Sequence, residues 1–310
     1  MSKLAKTSST LLASVALLVL SIGSGLGSGA LSLGSGLGIA LILAVPQSVA
    51  QGQPEVPVAS GTVKPPSTLA LSQITKRGKD LYGYDKACSV ATDALLVQVK
   101  NAASFKLFVA FPEHDLWHVA FGSMSDDGES FLIAYEATLK PNKPVEIKSY
   151  DIFKLDKGEF FKRAQAIDVC KTKMKSTGPL MNYAAIPNEG DQNTYWVYQF
   201  PGTTEPGVYL LGGDVRYLVS KSDHKILETR QMHQSVLTWP KRGGLPNDAH
   251  LQGGCHSAIM ADLPEDTDVF HVLLRQPQLP EYIATANWIF CVEVDGSIRL
   301  VSTMKENNQH

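Results

Sequence analysis

The N-terminal segment constrains the fold of this chain most strongly, because it carries almost no charge and little bulk. The only ionisable side chains in its first fifty residues are Lys3 and Lys6. An uncharged stretch over residues 7–54 follows them and is rich in Gly, Ser, Leu and Ala. Within it, residues 20–30 and 31–41 form a tandem repeat that shares Ser-Gly-Leu-Gly. Such a stretch lacks the amphipathic pattern of a folded domain, so we expect folding to start beyond it.

The junction after this stretch reads LAVPQSVAQG. Pro46 interrupts any helix, and Ser48 and Ala50 supply the small residues that signal peptidase requires before its cleavage point. We therefore predict a signal peptide over residues 1–50, cleaved between Ala50 and Gln51. The mature protein is then exported, to the periplasm or the extracellular space.

A retained membrane anchor is the alternative interpretation of the same segment. Gly23/Gly27 and Gly34/Gly38 have the GxxxG spacing that lets two membrane helices approach closely. Each glycine, however, lowers helix stability by about 1 kcal/mol relative to alanine. We therefore favour cleavage, with membrane contact limited to the signal segment.

The charge of the mature chain argues against nucleic acid as a partner. The full chain has 28 basic and 30 acidic side chains, and two of the basic ones precede the predicted cleavage site. The mature chain is therefore mildly acidic, whereas phosphate binding needs a concentrated cationic surface. An unknown ligand or envelope partner is the expectation that remains.

The predicted compartment determines the expected oxidation state of the cysteines. Cys88, Cys170, Cys255 and Cys291 all lie in the mature chain, and an even number in an exported protein predicts two disulfides. The expected pairs are Cys88–Cys170 and Cys255–Cys291, because each lies within one half of the chain. Buried thiols are the alternative. No CxxC pair occurs, which excludes thioredoxin-like and zinc-ribbon sites.

Composition divides the mature chain into two parts. Residues 51–68 are rich in Pro, Gly and Ser and predict a flexible tether. Residues 69–310 predict a single α+β domain, with a subdomain break near 178–192.

Helical periodicity appears early in this domain. It predicts helices over residues 69–82 and 86–100, the second beginning after Asp85 as its N-cap. A further helix is expected after Asp156, which precedes Glu159 by three residues as in a capping box.

Alternation of apolar and polar residues predicts antiparallel hairpins and a meander, concentrated in the C-terminal half. The predicted strands are 105–111, 117–122, 130–138, 145–150, 194–200, 215–221, 225–231, 268–275, 287–294 and 297–303. Helices early and hairpins later indicate an α+β fold.

Two histidine motifs are the first candidates for chemistry. His114 and His118 have the spacing of a zincin helix, but their flanks favour a strand, where residues four apart are separated by about 13 Å. We expect no metal there. In HLQGGCHSA, His250, Cys255 and His256 share a glycine-rich loop. A disulfide at Cys255 is favoured over a catalytic thiol, and Ser257 lacks a nucleophile elbow.

Two polar clusters are interpreted as structural. Gly212–Gly213 predicts a hairpin turn because a strand follows it, with Asp214 and Arg216 paired on one strand face. Glu265, Asp266 and Asp268 lack the alternating pattern of a calcium loop and predict a solvated loop before a strand.

Aromatic residues cluster in neighbouring predicted strands. Core packing is the favoured interpretation, and an apolar ligand pocket is the alternative. These residues are Tyr195, Trp196, Tyr198, Phe200, Tyr209 and Tyr217.

None of these motifs identifies a site for a metal, a cofactor or a nucleophile. We therefore predict a non-catalytic binding or envelope-associated protein. The alternative is a secreted hydrolase that uses His233, His250 or His256 with carboxylates distant in sequence. Clustering of these histidines with a carboxylate in one cleft would favour the hydrolase.

Overall fold

The computed structural model describes residues 20–21, 64–99, 105–172, 180–202, 205–239 and 250–304. The predicted cleavage site at Ala50–Gln51 lies outside these residues, as do most of the predicted signal peptide and tether.

The described residues form three helices and sixteen strands. The helices are α1 (Thr68–Gln98), α2 (Glu159–Lys171) and α3 (Asp266–Leu274). The strands of the first half are β1 (Leu20–Ser21), β2 (Leu107–Glu113), β3 (Leu116–Met124), β4 (Phe131–Leu139), β5 (Glu146–Asp156), β6 (Met181–Pro187) and β7 (Thr194–Pro201). Those of the second half are β8 (Tyr209–Gly212), β9 (Val215–Ser220), β10 (Ile226–Gln231), β11 (Val236–Trp239), β12 (His250–Leu251), β13 (Gly254–Ser257), β14 (Glu281–Ala284), β15 (Trp288–Val292) and β16 (Ile298–Thr303).

Most strands belong to three four-stranded sheets. Their strand orders are β2-β3-β4-β5, β10-β9-β7-β6 and β13-β14-β15-β16, and two-stranded ladders join β8 to β11 and β1 to β12. All pairings are antiparallel except β13 with β14, which is parallel. The mixed helix and strand content agrees with the α+β prediction. The parallel pair was not expected.

Helix α1 is one continuous helix where the sequence predicts two. Ser67 caps its start by accepting a hydrogen bond from the Ala70 N–H at 3.2 Å. Asp85 therefore lies inside the helix, and its prediction as an N-cap is wrong. One buried stripe runs through both predicted segments, from Ile74 to Leu95. Because tertiary packing covers this stripe on both sides of Asp85, the polar residue does not end the helix.

Helix α2 begins close to the predicted position. Its N-cap residue is Gly158 rather than the predicted Asp156, whose carboxylate accepts hydrogen bonds from the N–H groups of Gly158 and Phe161 at 3.1 and 2.9 Å. Glu159 forms an ion pair with Arg163 rather than completing a capping box.

Helix α3 corrects the prediction of a strand over 268–275. A capping box between Glu265 and Asp268 starts the helix. Its apolar side chains divide between two cores: Val269 packs with the sheet that contains β14 and β15, whereas Phe270 packs against Phe200 with ring centroids 5.1 Å apart. Because the helix is buried on every side, its apolar run has no amphipathic period, and a buried strand has the same signature.

Helices α1 and α3 cross at Gly78. A Cβ atom at this position would lie 2.5 Å from the Asp266 carbonyl oxygen and 2.5 Å from the Val269 Cβ. The missing side chain therefore allows α1 to contact the first turn of α3, where the candidate site begins.

None of the four cysteines is in a disulfide. Tyr282 of β14 pairs with Cys255 on one side and with Cys291 on the other, so one strand separates these two cysteines. Two inter-strand spacings place their Cα atoms about 9–10 Å apart, beyond the roughly 7 Å limit for a disulfide. Cys88 and Cys170 belong to different core clusters. Neither expected pair is therefore present.

No helix among the described residues is both long enough and apolar enough to cross a membrane.

Candidate metal centre

Two buried histidines and one buried aspartate lie close together at the first turn of α3. His233 follows β10, His256 lies in β13, and Asp268 lies in the first turn of α3. The Nε2 atoms of both histidines lie 3.1 Å from the same oxygen, Oδ1 of Asp268. The three candidate ligand atoms all lie within 4.8 Å of one another.

Each histidine has a further carboxylate at its Nδ1 atom. His233 Nδ1 lies 2.8 Å from Asp214 Oδ1, and His256 Nδ1 lies 2.9 Å from Glu281 Oε1. These contacts fix the orientation of both rings and direct each Nε2 towards Asp268. Metal-binding histidines in proteins characteristically have such a carboxylate behind the ring.

The three central atoms have no hydrogen-bond partner in the described part of the chain. His233 Nε2, His256 Nε2 and Asp268 Oδ1 are buried and unsatisfied, because their 3.1 Å contacts lack hydrogen-bond geometry. Buried polar atoms are normally hydrogen-bonded, so three converging ligand atoms without a hydrogen bond form a candidate metal site.

The local turn at Gly212–Gly213 explains how Asp214 reaches His233. Both glycines have positive φ, and a Cβ on Gly212 would lie 2.1 Å from the Ser235 carbonyl oxygen. Strands β8 and β9 flank this turn but belong to different sheets. The prediction of a hairpin is therefore wrong, and so is the predicted pairing of Asp214 with Arg216. The turn instead directs Asp214 towards the segment after β10.

Burial and charge act in opposite directions on the two rings. Burial alone would lower the pKa of His233, but Asp268 and Asp214 outweigh it and raise that pKa to about 11. The pKa of His256 is raised to about 9, again against burial, by Asp268 and Glu281. Burial favours a raised pKa for Asp268, but the two rings outweigh it and hold that pKa well below its usual value.

Arg275 supports the cluster at its Glu281 side. This fully buried guanidinium donates to Glu281 Oε2 at 2.5 Å and to the Leu279 carbonyl oxygen at 2.6 Å. It also stacks over Trp239, 3.8 Å from the ring centroid. Glu281 is therefore held at both carboxylate oxygens, by His256 at Oε1 and by Arg275 at Oε2.

The cluster is electrically balanced in two ways. Asp214, Asp268 and Glu281 contribute three negative charges, and Arg275 contributes one positive charge. Two imidazolium rings supply the other two positive charges when the cluster holds protons. Neutral rings with one divalent cation supply the same charge, and ligating imidazole must be neutral. A metal ion therefore replaces two protons without leaving buried charge uncompensated.

His271 lies one turn after Asp268 on α3. It is buried, and neither ring nitrogen has a hydrogen-bond partner in the described structure. Burial, together with Arg275, lowers its pKa to about 3, so the ring is neutral. It adds an uncharged imidazole beside the cluster.

Ion pairs fix the start of α3. The carboxylate of Asp266 accepts hydrogen bonds from Arg77, Arg216 and Tyr198. Arg230 donates to Glu265, whose pKa is nonetheless raised to about 7, chiefly by burial. Because these partners come from α1, β7, β9 and β10, the position of Asp268 depends on several distant segments.

The sequence predictions for these residues have mixed outcomes. Glu265, Asp266 and Asp268 are buried, which corrects the expectation of a solvated loop. His233 and His256 are brought together, as the hydrolase alternative required of its histidines. The backbone of His250 lies in β12, and its side chain lies outside the described part of the structure.

The remaining candidate residues from the sequence contribute none of the three ligand atoms. His114 and His118 lie in the β2–β3 hairpin, where His118 faces Glu113 at 3.5 Å. Cys255 and Ser257 flank His256 in β13. Asp214 and Glu281 were missed as site residues, because no local motif links either one to a histidine many residues away.

A scan of the sequence against protein-family models finds no match, and a search of the curated proteins finds no match either.

Proposed function

We propose that the protein is an exported metal-binding protein that holds one divalent transition-metal ion, Zn²⁺ by preference, through His233, His256 and Asp268. The observation that carries this proposal is the convergence of two carboxylate-oriented Nε2 atoms on an unsatisfied oxygen of Asp268.

The spacing and type of the ligand atoms support this choice of ion. Zinc–nitrogen and zinc–oxygen bonds of 2.0–2.1 Å in a tetrahedron place two ligand atoms about 3.3 Å apart. The observed separations of Nε2 from Oδ1 are 3.1 Å. Two imidazoles and one carboxylate suit Zn²⁺ and its neighbours, whereas Ca²⁺ and Mg²⁺ require a set of oxygen ligands.

Burial supports a non-catalytic role. All three ligands are buried. A metal ion here joins the segment after β10, strand β13 and helix α3. Its binding energy therefore stabilises the contact between three distant parts of the chain.

Metal analysis of the purified full chain tests the proposal. After incubation with Zn²⁺ and dialysis, we expect about one zinc ion per chain, and its loss in His256→Ala. The matched control is His114→Asn, which removes an exposed imidazole and keeps a residue type that tolerates the observed φ of 53°. Equal zinc content in His256→Ala and His114→Asn would overturn the assignment.

A spectroscopic measurement keeps the test valid if His256→Ala does not fold. The wild-type chain loaded with Co²⁺ should show the intense visible absorption of a four-coordinate ion with nitrogen and oxygen ligands. A wild-type chain that retains neither Zn²⁺ nor Co²⁺ after dialysis would identify the cluster as a proton-charged ion network instead.

A metal-dependent hydrolase is the second candidate function. The observation that favours it is the three-ligand donor set, because catalytic zinc sites keep the fourth position for water. Hydrolysis of p-nitrophenyl acetate by the Zn²⁺-loaded chain, lost in His256→Ala and kept in His114→Asn, would support it. Full zinc occupancy without hydrolysis supports the non-catalytic function.

A further inference from the structure

A cavity of about 400 Å³ lies beside α3. It is bounded by α1, by β2, by β6 and β7, by β8, and by α3. On α3 its lining residues are Phe270 and Leu274, and the lining includes none of the proposed metal ligands His233, His256 and Asp268. The cavity is therefore a separate site, in the size range of pockets for small ligands.

The charged lining of this cavity is acidic. Asp85 and Asp93 contribute carboxylates from one face of α1, and none of the described lining residues is basic. Such a wall favours a cation and disfavours an anion or a zwitterion, whose carboxylate would find no positive partner.

Asp85 is a partly buried carboxylate of this lining. No described residue pairs with it or donates a hydrogen bond to its side chain. Its carboxylate is therefore available to pair with a cation in the cavity.

The remaining wall is largely apolar. Phe108, Phe200 and Phe270 line the cavity, together with Leu274. Aromatic rings accept the apolar body of a ligand and attract a cation through their negative faces.

We propose that this cavity binds a small organic cation. Its ammonium group pairs with Asp85, and its apolar body packs against Phe108, Phe200 and Phe270.

Isothermal titration calorimetry of the full chain with phenethylamine tests this assignment. We expect binding of phenethylamine and no measurable binding of its anionic analogue, 3-phenylpropanoate. Asp85→Asn should weaken phenethylamine binding at least about tenfold, because it removes the charge partner and keeps the side-chain shape. The matched control is Asp223→Asn, an exposed aspartate in the β9–β10 turn, which should bind as the wild type does.

A blocking variant provides the second arm. Ser89 is an exposed lining residue on α1, so Ser89→Trp places a large ring at the cavity without replacing a core side chain. We expect it to abolish binding while thermal stability is retained. Unchanged affinity in both Asp85→Asn and Ser89→Trp, or equal binding of 3-phenylpropanoate, would overturn the proposal. Phenethylamine binding should be the same with and without Zn²⁺, so this result does not depend on the metal centre.

Discussion

His233 Nδ1 lies 2.8 Å from Oδ1 of Asp214, and this contact decides which ring nitrogen faces the centre of the cluster. Asp214 does not contact the proposed metal position itself. It orients the ring that does, and it increases the basicity of the ligating nitrogen.

Asp214→Asn should therefore weaken Zn²⁺ binding without removing a ligand. We expect a loss of about 10–100-fold in affinity, the usual effect of removing an outer-shell partner. Competition with a chromophoric zinc chelator measures it. Asp223→Asn serves as the control, since its carboxylate is exposed and pairs with Lys225. An Asp214→Asn affinity equal to that of the control would show that Asp214 does not orient a ligand.

Gly78→Ala should destabilise the contact between α1 and α3. Its Cβ would approach both the Asp266 carbonyl oxygen and the Val269 Cβ to 2.5 Å, and backbone atoms cannot move aside without cost. We expect a loss of about 2 kcal/mol in the free energy of unfolding, although alanine favours a helix.

Urea unfolding of Gly78→Ala measures this loss. Ser89→Ala, at an exposed position of the same helix, is the control and should be neutral or slightly stabilising. A Gly78→Ala protein as stable as Ser89→Ala would contradict the close crossing of the two helices.

Asp85 should make stability depend on pH. Burial raises its pKa in the folded chain to about 6, from an ordinary value of 3.8. The folded state therefore binds the proton more tightly than the unfolded state. The protonated form contributes stability below the ordinary value, and that contribution is lost as the pH rises through about 6.

Asp85→Asn removes this pH-dependent loss. We expect it to raise the free energy of unfolding by about 2 kcal/mol near pH 8 and to have little effect near pH 4. The neighbouring Tyr84 and Cys88 stay protonated in this interval, because burial raises the pKa of both. Denaturant unfolding at the two pH values checks the prediction, and a gain of equal size at both would refute it.

The cysteines should all be alkylated in the denatured protein without prior reduction. None is in a disulfide, and one strand separates Cys255 from Cys291. Intact mass after denaturation and iodoacetamide treatment should show four additions. Fewer additions without a reductant, restored to four by reduction, would establish a disulfide and contradict the strand register.

The predicted export has its own measurement. The intact mass of the protein from the envelope fraction should correspond to a chain that begins at Gln51, because Ser48 and Ala50 fit the peptidase requirement. A mass that includes residues 1–50 would instead support the retained anchor.

Local patterns in the sequence predicted several strands and the approximate start of one helix. Strands β3 and β4 lie within two residues of their predicted bounds, and the Asp156 carboxylate accepts a hydrogen bond from the first turn of α2. In each case, the signal lies within one short segment of the chain.

The same patterns failed at helix α3 and in the middle of α1. Helix α3 has no exposed face, so its apolar run was predicted to be a strand. Asp85 was predicted to start a helix, although tertiary packing continues α1 through it.

The sequence by itself determined the composition of the N-terminal segment, the helix-capping and strand signals, and the inventory of histidines and carboxylates. Only the tertiary structure decided that Asp214, His233, His256, Asp268 and Glu281 meet. These residues come from five separate segments, and their ring and carboxylate orientations depend on sheet register and on the crossing of α1 over α3. Chain segments this far apart have no shared local period, so long-range packing alone brings the ligands together.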